Sequence, residues 1–404
     1  MSQLSRHSAY AINPIEEEDG LAYKLASTGR KIIALNRGNP PSFFPTPKYT
    51  IDAYVKALRN GKTGYSFHSG IPELRKIIAD RHKRLYHTRA NEDDVVVTQG
   101  VSESLIYINS LFIDPSDRAL VFRPYYPLYI SCLQINSGVP VFVDYHEEEG
   151  FRFDPDRLRK AIRSVGRKGP KFMVFSNPCN PTGTVMERKE LKEIAEIAKD
   201  NGVFVISDEI YDEIIYNGAK FTSFSEVSNG IPAAILGGAS KNYDSTGFRI
   251  GYTLFTEHDM LSVRVREKLC DFAKMRLSSN TPAQYAFAES ISNVSAHRNA
   301  VKKMVSQIEK RANFAYELII ESDYMSAARP KGAFYILPRA DMSRIEFKND
   351  RDLIRKLLVE EGVQVTRGSG FGAPGHLRLV VLAPQALLES AIQKINKFFV
   401  RHSK

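Results

Sequence analysis

KFMVFSNPCNPTGTVMERKELKEIAEIAKDNGVFVISDEIYDEIIY, residues Lys171–Tyr216, sets two apolar runs around one amphipathic segment. The runs Lys171–Ser176 and Val203–Ser207 are short, rich in β-branched and aromatic residues, and continuous rather than alternating in polarity. That is the pattern of strands covered on both faces in a mostly parallel sheet. Between them, Leu191, Ile194, Ile197 and Ala198 fall on one helical face, and Gly202 follows as a stop. Working outward, Asp94–Thr98, Ala119–Phe122, Pro140–Asp144 and Ala233–Gly237 read as further strands of the same kind. Alternating strands and helices predict an α/β fold with a doubly wound core.

The two ends read differently. Residues 1–49 hold Pro14, Pro40, Pro41, Pro45 and Pro47, a poor core that reads as an arm and turns. Beyond about Asn293 come a long charged helix at Lys302–Glu317, an alternating segment GAFYILP and a final helix LLESAIQKINKFFV. The expected organisation is a large α/β domain over 50–293 and a smaller α+β domain over 294–404, joined by the arm. A chain of 404 residues suits one large and one smaller domain.

Composition excludes several classes. With 43% hydrophobic and 25% charged residues the chain is neither disordered nor a disulfide-stapled miniature. No apolar stretch approaches the roughly 18 residues of a spanning helix, and the start, running into Glu16–Glu18, does not read as a secretory leader. Three cysteines, Cys132, Cys179 and Cys270, are odd in number and widely spaced, which points to a reducing compartment and a cytoplasmic location. They and the nine histidines show no metal-ligand spacing, so no metal is expected. The net charge of +10 is spread along helix-like segments beside acidic residues, as on a solvated face, without a nucleic-acid motif behind it.

Four junctions carry candidate chemistry. In GGASKNYDSTGFRIGY, Gly237–Tyr252, Lys241 sits in a glycine-rich loop after a strand, with Ser240 beside it and Arg249 ahead of another apolar run. A lysine so flanked can lose pKa and act as an imine-forming nucleophile, with Ser240 and Arg249 binding an oxyanion; a solvated loop lysine is the plain alternative. In SDEIYDE, Asp208 closes an apolar strand, either at a ligand-binding edge of the sheet or as a helix N-cap. Tyr211 would share its side if a helical turn starts there. In SNPCNPTG, the prolines and Gly183 force turns that present Asn177 and Asn180. In TQGVSESL, a strand meets Gly100 and a helix start capped by Ser102, an anion site built from backbone N–H groups. A lysine, a carboxylate, an amide, a phenol and a phosphate cradle at the strand ends of one sheet are what pyridoxal 5′-phosphate requires.

SNPCNPTG, SDEIYDE and SKNYDSTGFRIGY, in this order, resemble the class I, fold-type I pyridoxal-phosphate aminotransferases. The likeness runs from about Ile32 to Val400 and includes GYSFHSGIPELR, RPYYPLY, PKGAFYILP and HLRLVVL. TQGVSESL, MRLSSNTPAQYA and GSGFGAPGHLRLVVLAP look closer to the archaeal alanine aminotransferase group. The resemblance implies roles residue by residue. Lys241 forms the imine with the cofactor and shuttles the proton. Asp208 pairs with the ring nitrogen, Tyr211 and Asn180 bond the phenolic oxygen, and Tyr126 stacks on the ring. Gly100, Val101, Ser102, Ser240 and Arg249 hold the phosphate, and Tyr65 reaches that of the neighbouring subunit. Arg378 forks onto the substrate α-carboxylate with Gly38 and Asn180. Tyr126 stands where many relatives have tryptophan, and Gly238 where a serine is common, which removes one phosphate contact.

The activity so implied is a homodimeric transaminase moving an amino group between an L-amino acid, alanine foremost, and 2-oxoglutarate or pyruvate. Aspartate aminotransferase is the nearest alternative. Aromatic or branched-chain transaminases, a lyase and a ligand-sensing domain of a regulator lie further off. Arg37 and Arg276 are unassigned candidates for a distal carboxylate. Cys179 reads as a small filler, and His376 as a neighbour of Arg378.

Overall fold

The computed structural model describes residues 5–404. Its centre is a seven-stranded sheet in the order Val95–Thr98, Gly251–Phe255, Ala233–Gly238, Phe204–Asp208, Phe172–Ser176, Arg118–Arg123, Val139–Asp144. All neighbours run parallel except at Gly251–Phe255, which is antiparallel to the strand on each side. The apolar run after Arg249 is therefore an integral strand. The runs read from sequence as strands all appear, with ends moved by a residue or two.

Continuity of the apolar runs has a direct packing consequence. Val95, Leu120, Met173, Val205 and Ile235 enter one buried core. Their chain neighbours Val96, Val121, Val174, Ile206 and Leu236 enter another on the opposite face. Side chains alternate across a strand, so only a strand without polar positions can feed two cores. Each such side chain contributes about 1.5–3 kcal/mol by leaving water. Helices Pro72–Tyr86, Pro155–Val165, Arg188–Asp200 and Thr281–Ser292 cover the first face. Val101–Phe112, Pro127–Ile135 and Met260–Met275 cover the second. Val139–Asp144 is the exception: it lies at the sheet edge and is only partly buried.

A third core joins the two ends of the chain. Ile33, Leu35 and Phe44 pack with Met304, Ile308, Leu357, Leu379, Ile392 and Phe398. Ile33–Ala34 pairs in parallel with Val363–Gln364. The N-terminal stretch is more structured than its prolines suggest, because Asp19–Ser27 is a helix. It buries only Ala22, so no apolar stripe marks it in the sequence. The helix Lys48–Arg59 runs through the expected boundary at residue 49. The charged helix extends from Val294 to Ile320, further at both ends than its charge pattern marks. Among the described residues, no helix is long and apolar enough to cross a membrane.

Candidate active site

The parallel strands end on one side of the sheet, and their following turns converge there, where open α/β sheets bind ligands. A cavity of about 390 Å³ at this edge is lined by Gly100, Val101 and Ser102, by Tyr126, by Ser176 and Asn180, by Asp208 and Tyr211, and by Ser240, Lys241 and Arg249. Gly38, Tyr335 and Arg378 close it from the side of the third core. Of the residues to which the family likeness gives a role in the site, Tyr65 alone is not in the wall of this protomer; it stands out at 82% exposure.

The anion cradle starts at Gly100, which has φ 73° and precedes the helix Val101–Phe112. Ser102 is not its cap, as the sequence suggested; it lies inside the first turn, and Gly100 takes the cap position. A Cβ on Gly100 would come within 2.7 Å of an Arg249 guanidinium nitrogen. Gly251 packs against the same turn, where a Cβ would lie 2.5 Å from the Gly100 carbonyl carbon. Two glycines thus let a strand and an arginine close onto free backbone N–H groups at a helix start. Arg249 itself is exposed, adopts φ 54° and donates to the Thr246 carbonyl at 3.0 Å. Gly238 has its own reason: a Cβ there would lie 2.7 Å from the Ile250 carbonyl, so this backbone leaves no room for a serine.

Asp208 is buried at the last position of its strand. Tyr129 donates its hydroxyl to Oδ2 at 2.8 Å, and the Ile210 N–H donates to Oδ1 at 3.3 Å. Burial raises the carboxyl to about 6 against these bonds. Residues 210–213 form turns, so Asp208 caps no helix, and Tyr211 reaches the cavity without one. The Tyr211 and Tyr335 hydroxyls share a hydrogen bond of 2.8 Å. Lys241 Nζ donates to the Gly38 carbonyl at 2.8 Å. Desolvation, with Arg378 and Arg249 nearby, brings its pKa down to about 8.

Arg378 is fully buried, on the strand Leu377–Val380. It donates to Asn180 Oδ1 at 3.0 Å and to the Asn36 carbonyl, and lies over the rings of Tyr335 and Phe371 at 4.7 and 4.5 Å. Its Nε has no partner, and no carboxylate among the described residues pairs with it. Asn180 lines the cavity, but Asn177 does not. Asn177 turns inward to accept from the Met186 N–H at 3.0 Å and donate to the Thr222 carbonyl, bracing the turn. His376 faces Glu147 at 3.2 Å rather than Arg378. Cys179 is buried, and burial pushes its thiol pKa up.

Pyridoxal phosphate fits this wall. The cradle lacks side chains where a phosphate needs backbone, an arginine stands at it, a buried carboxylate faces the same space, and an amine of lowered pKa lies between. When bound, the cofactor supplies the electron sink that lets a substrate Cα give up its proton.

Residues 30–395 match the family model for aminotransferase class I and II. The chain belongs to this family. Its members are pyridoxal-phosphate-dependent, and the protein is a transaminase acting on amino acid and 2-oxo acid substrates. It is 31% identical to the aspartate aminotransferase of Bacillus subtilis, over 95% of each chain. It is also 31% identical to the glutamate–pyruvate aminotransferase of Haemophilus influenzae, over 97% of this chain and 96% of that one. Among solved structures it resembles an alanine aminotransferase from Pyrococcus furiosus, with a TM-score of 0.93, 34% identity, and 99% and 100% of the two chains covered. The aspartate aminotransferase of Thermus thermophilus with maleate follows at TM-score 0.90 and 30% identity, covering 98% of this chain and 100% of that one. The fold expected from the motifs is the fold of this family.

Sequence reasoning missed Tyr129, which holds Asp208 from behind the wall, and in the wall itself Tyr335 and part of the arm. Tyr129 was within RPYYPLY, three positions after Tyr126 and hence on its side of the helix start. Tyr335 was within PKGAFYILP but reads as one more core aromatic. Asn13, Ile15 and Glu16 also line the cavity, and nothing in a polar, proline-bearing stretch signals that.

Proposed function

We propose that the transaminase uses L-alanine at least as efficiently as L-aspartate, with 2-oxoglutarate as acceptor. The observation that carries this reading is the state of the candidate arginines for a second carboxylate. Arg37 lines the cavity, but it is already paired with Asp19 and with Glu16 at 3.3 Å. Arg276 lies away from the cavity, bonded to Glu103 at 2.8 Å and to the Val97 carbonyl. Arg37 stands at the exposed rim with two carboxylates already on it, so the short side chain of aspartate meets Glu16 before it gains a cation. A methyl group meets no such conflict. The names of the Pyrococcus and Haemophilus relatives support the same direction.

In this reading Arg378 takes the α-carboxylate, its orphan Nε and a second nitrogen forming a fork, with the Gly38 N–H and Asn180 beside it. With the cofactor bound, Asp208, oriented by Tyr129, would hold a proton on its ring nitrogen, and Tyr211 and Asn180 would bond its ring oxygen. Tyr126 would cover the ring. Gly100, Val101, Ser102, Ser240 and Arg249 would hold the phosphate. Lys241 Nζ receives and returns the Cα proton, for which its lowered pKa suits it. The enzyme works as a cytoplasmic homodimer in which Tyr65 serves the partner's phosphate; its 82% exposure in one protomer supports that use. The large domain holds the cofactor over 50–293, and the small domain over 294–404 with the arm of residues 1–49 closes on substrate.

A panel of amino donors against 2-oxoglutarate tests the reading. L-Alanine is expected to match or exceed L-aspartate in kcat/KM. An aspartate advantage of about tenfold, or about 1.4 kcal/mol, overturns it and leaves the transaminase intact.

A further inference from the structure

A transaminase that takes alanine in one half-reaction and glutamate in the other must accept a methyl group and a long carboxylate in one space. We propose that Glu16 and Arg37 form an exchangeable ion pair: Glu16 is a resident carboxylate that neutralises Arg37 while alanine is bound and yields it to the distal carboxylate of glutamate or 2-oxoglutarate. The inference rests on the alanine reading above and adds the residue that selects the second substrate.

Both side chains line the cavity, so the pair is inside the reach of a bound ligand. The side chains of Arg37 and Glu16 are 55% and 52% exposed, and an ion pair that open to water is weakly held. A substrate carboxylate can replace such a partner at little cost. Arg37 does not wander when Glu16 leaves, because Asp19 keeps its own bond to the guanidinium. Asp19 in turn is fixed by the Asn36 amide at 3.0 Å and the Gln364 amide at 2.7 Å. Among the described residues Glu16 makes no other side-chain hydrogen bond or ion pair, so it is the member free to move. The chain also ties the two ends of the substrate together. Arg37 lies between Asn36, whose carbonyl accepts from Arg378, and Gly38, whose carbonyl accepts from Lys241. The cation for the far carboxylate and the cation for the near one are thus set against the same short stretch of backbone. Its position at the exposed rim favours a longer dicarboxylate over aspartate.

The test compares L-glutamate with L-alanine in separate half-reactions, followed by the change in cofactor absorbance, in the holoenzyme. Glu16→Gln is expected to raise the glutamate-to-alanine ratio of kcat/KM about fivefold, the equivalent of one exposed ion pair. Arg37→Gln is expected to lower that ratio by about tenfold or more. In the double variant the gain from Glu16→Gln should vanish, since it exists only through Arg37. Glutarate binding, measured by calorimetry against butanoate, should tighten in Glu16→Gln and weaken in Arg37→Gln relative to the monocarboxylate. A ratio that stays put in either single variant, or a Glu16→Gln gain that persists without Arg37, overturns the proposal. Failure of the alanine reading shows separately, as an aspartate preference in the unmodified enzyme.

Discussion

Arg378 and Arg81 are both buried arginines, and their surroundings are opposite. Arg81, on the helix Pro72–Tyr86, bonds Asp212 at 2.8 Å and Glu213 as well. Tyr86 donates to Asp212 at 2.6 Å, the Asn242 amide donates to its other oxygen, and His297 faces Glu213 at 3.0 Å. Burial alone would lower the Arg81 pKa, yet the carboxylates hold it well above its ordinary value. Burial would raise Glu213, but Arg81 and His297 bring it below the usual carboxylate range. Arg378 has amide, carbonyl and ring neighbours and no carboxylate, and burial lowers its pKa. Removing a charge from water costs several kcal/mol, which a counter-ion offsets. Arg81 is offset by the fold. Arg378 is left for a ligand to offset, which is how a binding cation differs from a structural one.

The contrast breaks most visibly at Arg378. Arg378→Met, similar in volume, should lower kcat/KM for every amino acid substrate by about 10³-fold, the loss of two charge-assisted bonds. Thermal melting should show no loss of stability, because an uncompensated cation has gone. A clear drop in melting temperature would mean that Arg378 serves the fold as Arg81 does.

Arg81→Met should do the reverse. It strands Asp212 and Glu213 in the interior and should cost about 3–5 kcal/mol in a denaturant titration, with a smaller fall in kcat/KM than at Arg378. The network reaches the site through Asn242, next to Lys241, so a kcat/KM loss as large as that of Arg378→Met would erase the distinction between the two regions.

The smallest effect lies in the pH dependence of the cofactor-free protein. Lys241 falls from 10.5 to about 8 on folding, so between those values the unfolded chain binds more protons than the folded one. Stability therefore rises with pH across that window. Asp208 moves from 3.8 up to about 6, the folded chain binds more protons there, and stability falls as pH rises through it. Lys241→Met should remove the alkaline slope, read as melting temperature against pH. Arg378→Met should shift that slope toward higher pH, since Arg378 helps hold Lys241 down. An alkaline slope unchanged by both substitutions would show that the site does not lower the lysine.

Legibility followed physical pattern. The six strands named from sequence are apolar on both faces, so composition alone separated them from helices. Lys241, Asp208 and Asn180 stood out at strand-end junctions and took their roles from the family likeness, Arg378 came from the likeness alone, and the cavity brings the four together. Tyr129 and Tyr335 escaped notice because a buried phenol reads as core until its hydroxyl partner is known. Ser102 was misjudged as a cap because serine favours that position, whereas the chain turns two residues earlier, at Gly100 with its positive φ, and the helix has begun by Val101. Arg81, Asp212 and Glu213 read as ordinary helix and turn charges, since nothing local says that they meet across 131 and 132 positions of chain.

The two carbonyls on either side of Arg37 carry a consequence for the whole N-terminal segment. Asn36 and Gly38 are fastened by Arg378 and Lys241, the same cations that ligands engage. In the proposed reading a carboxylate at Arg378 also engages the Gly38 N–H, so filling the site adds a tie to the segment on which the arm closes. Thermodynamic reciprocity then works in the other direction: whatever draws residues 36–38 away removes that contact and weakens the hold on anions. The attachment of the segment and the occupancy of the site are a single equilibrium viewed from opposite sides.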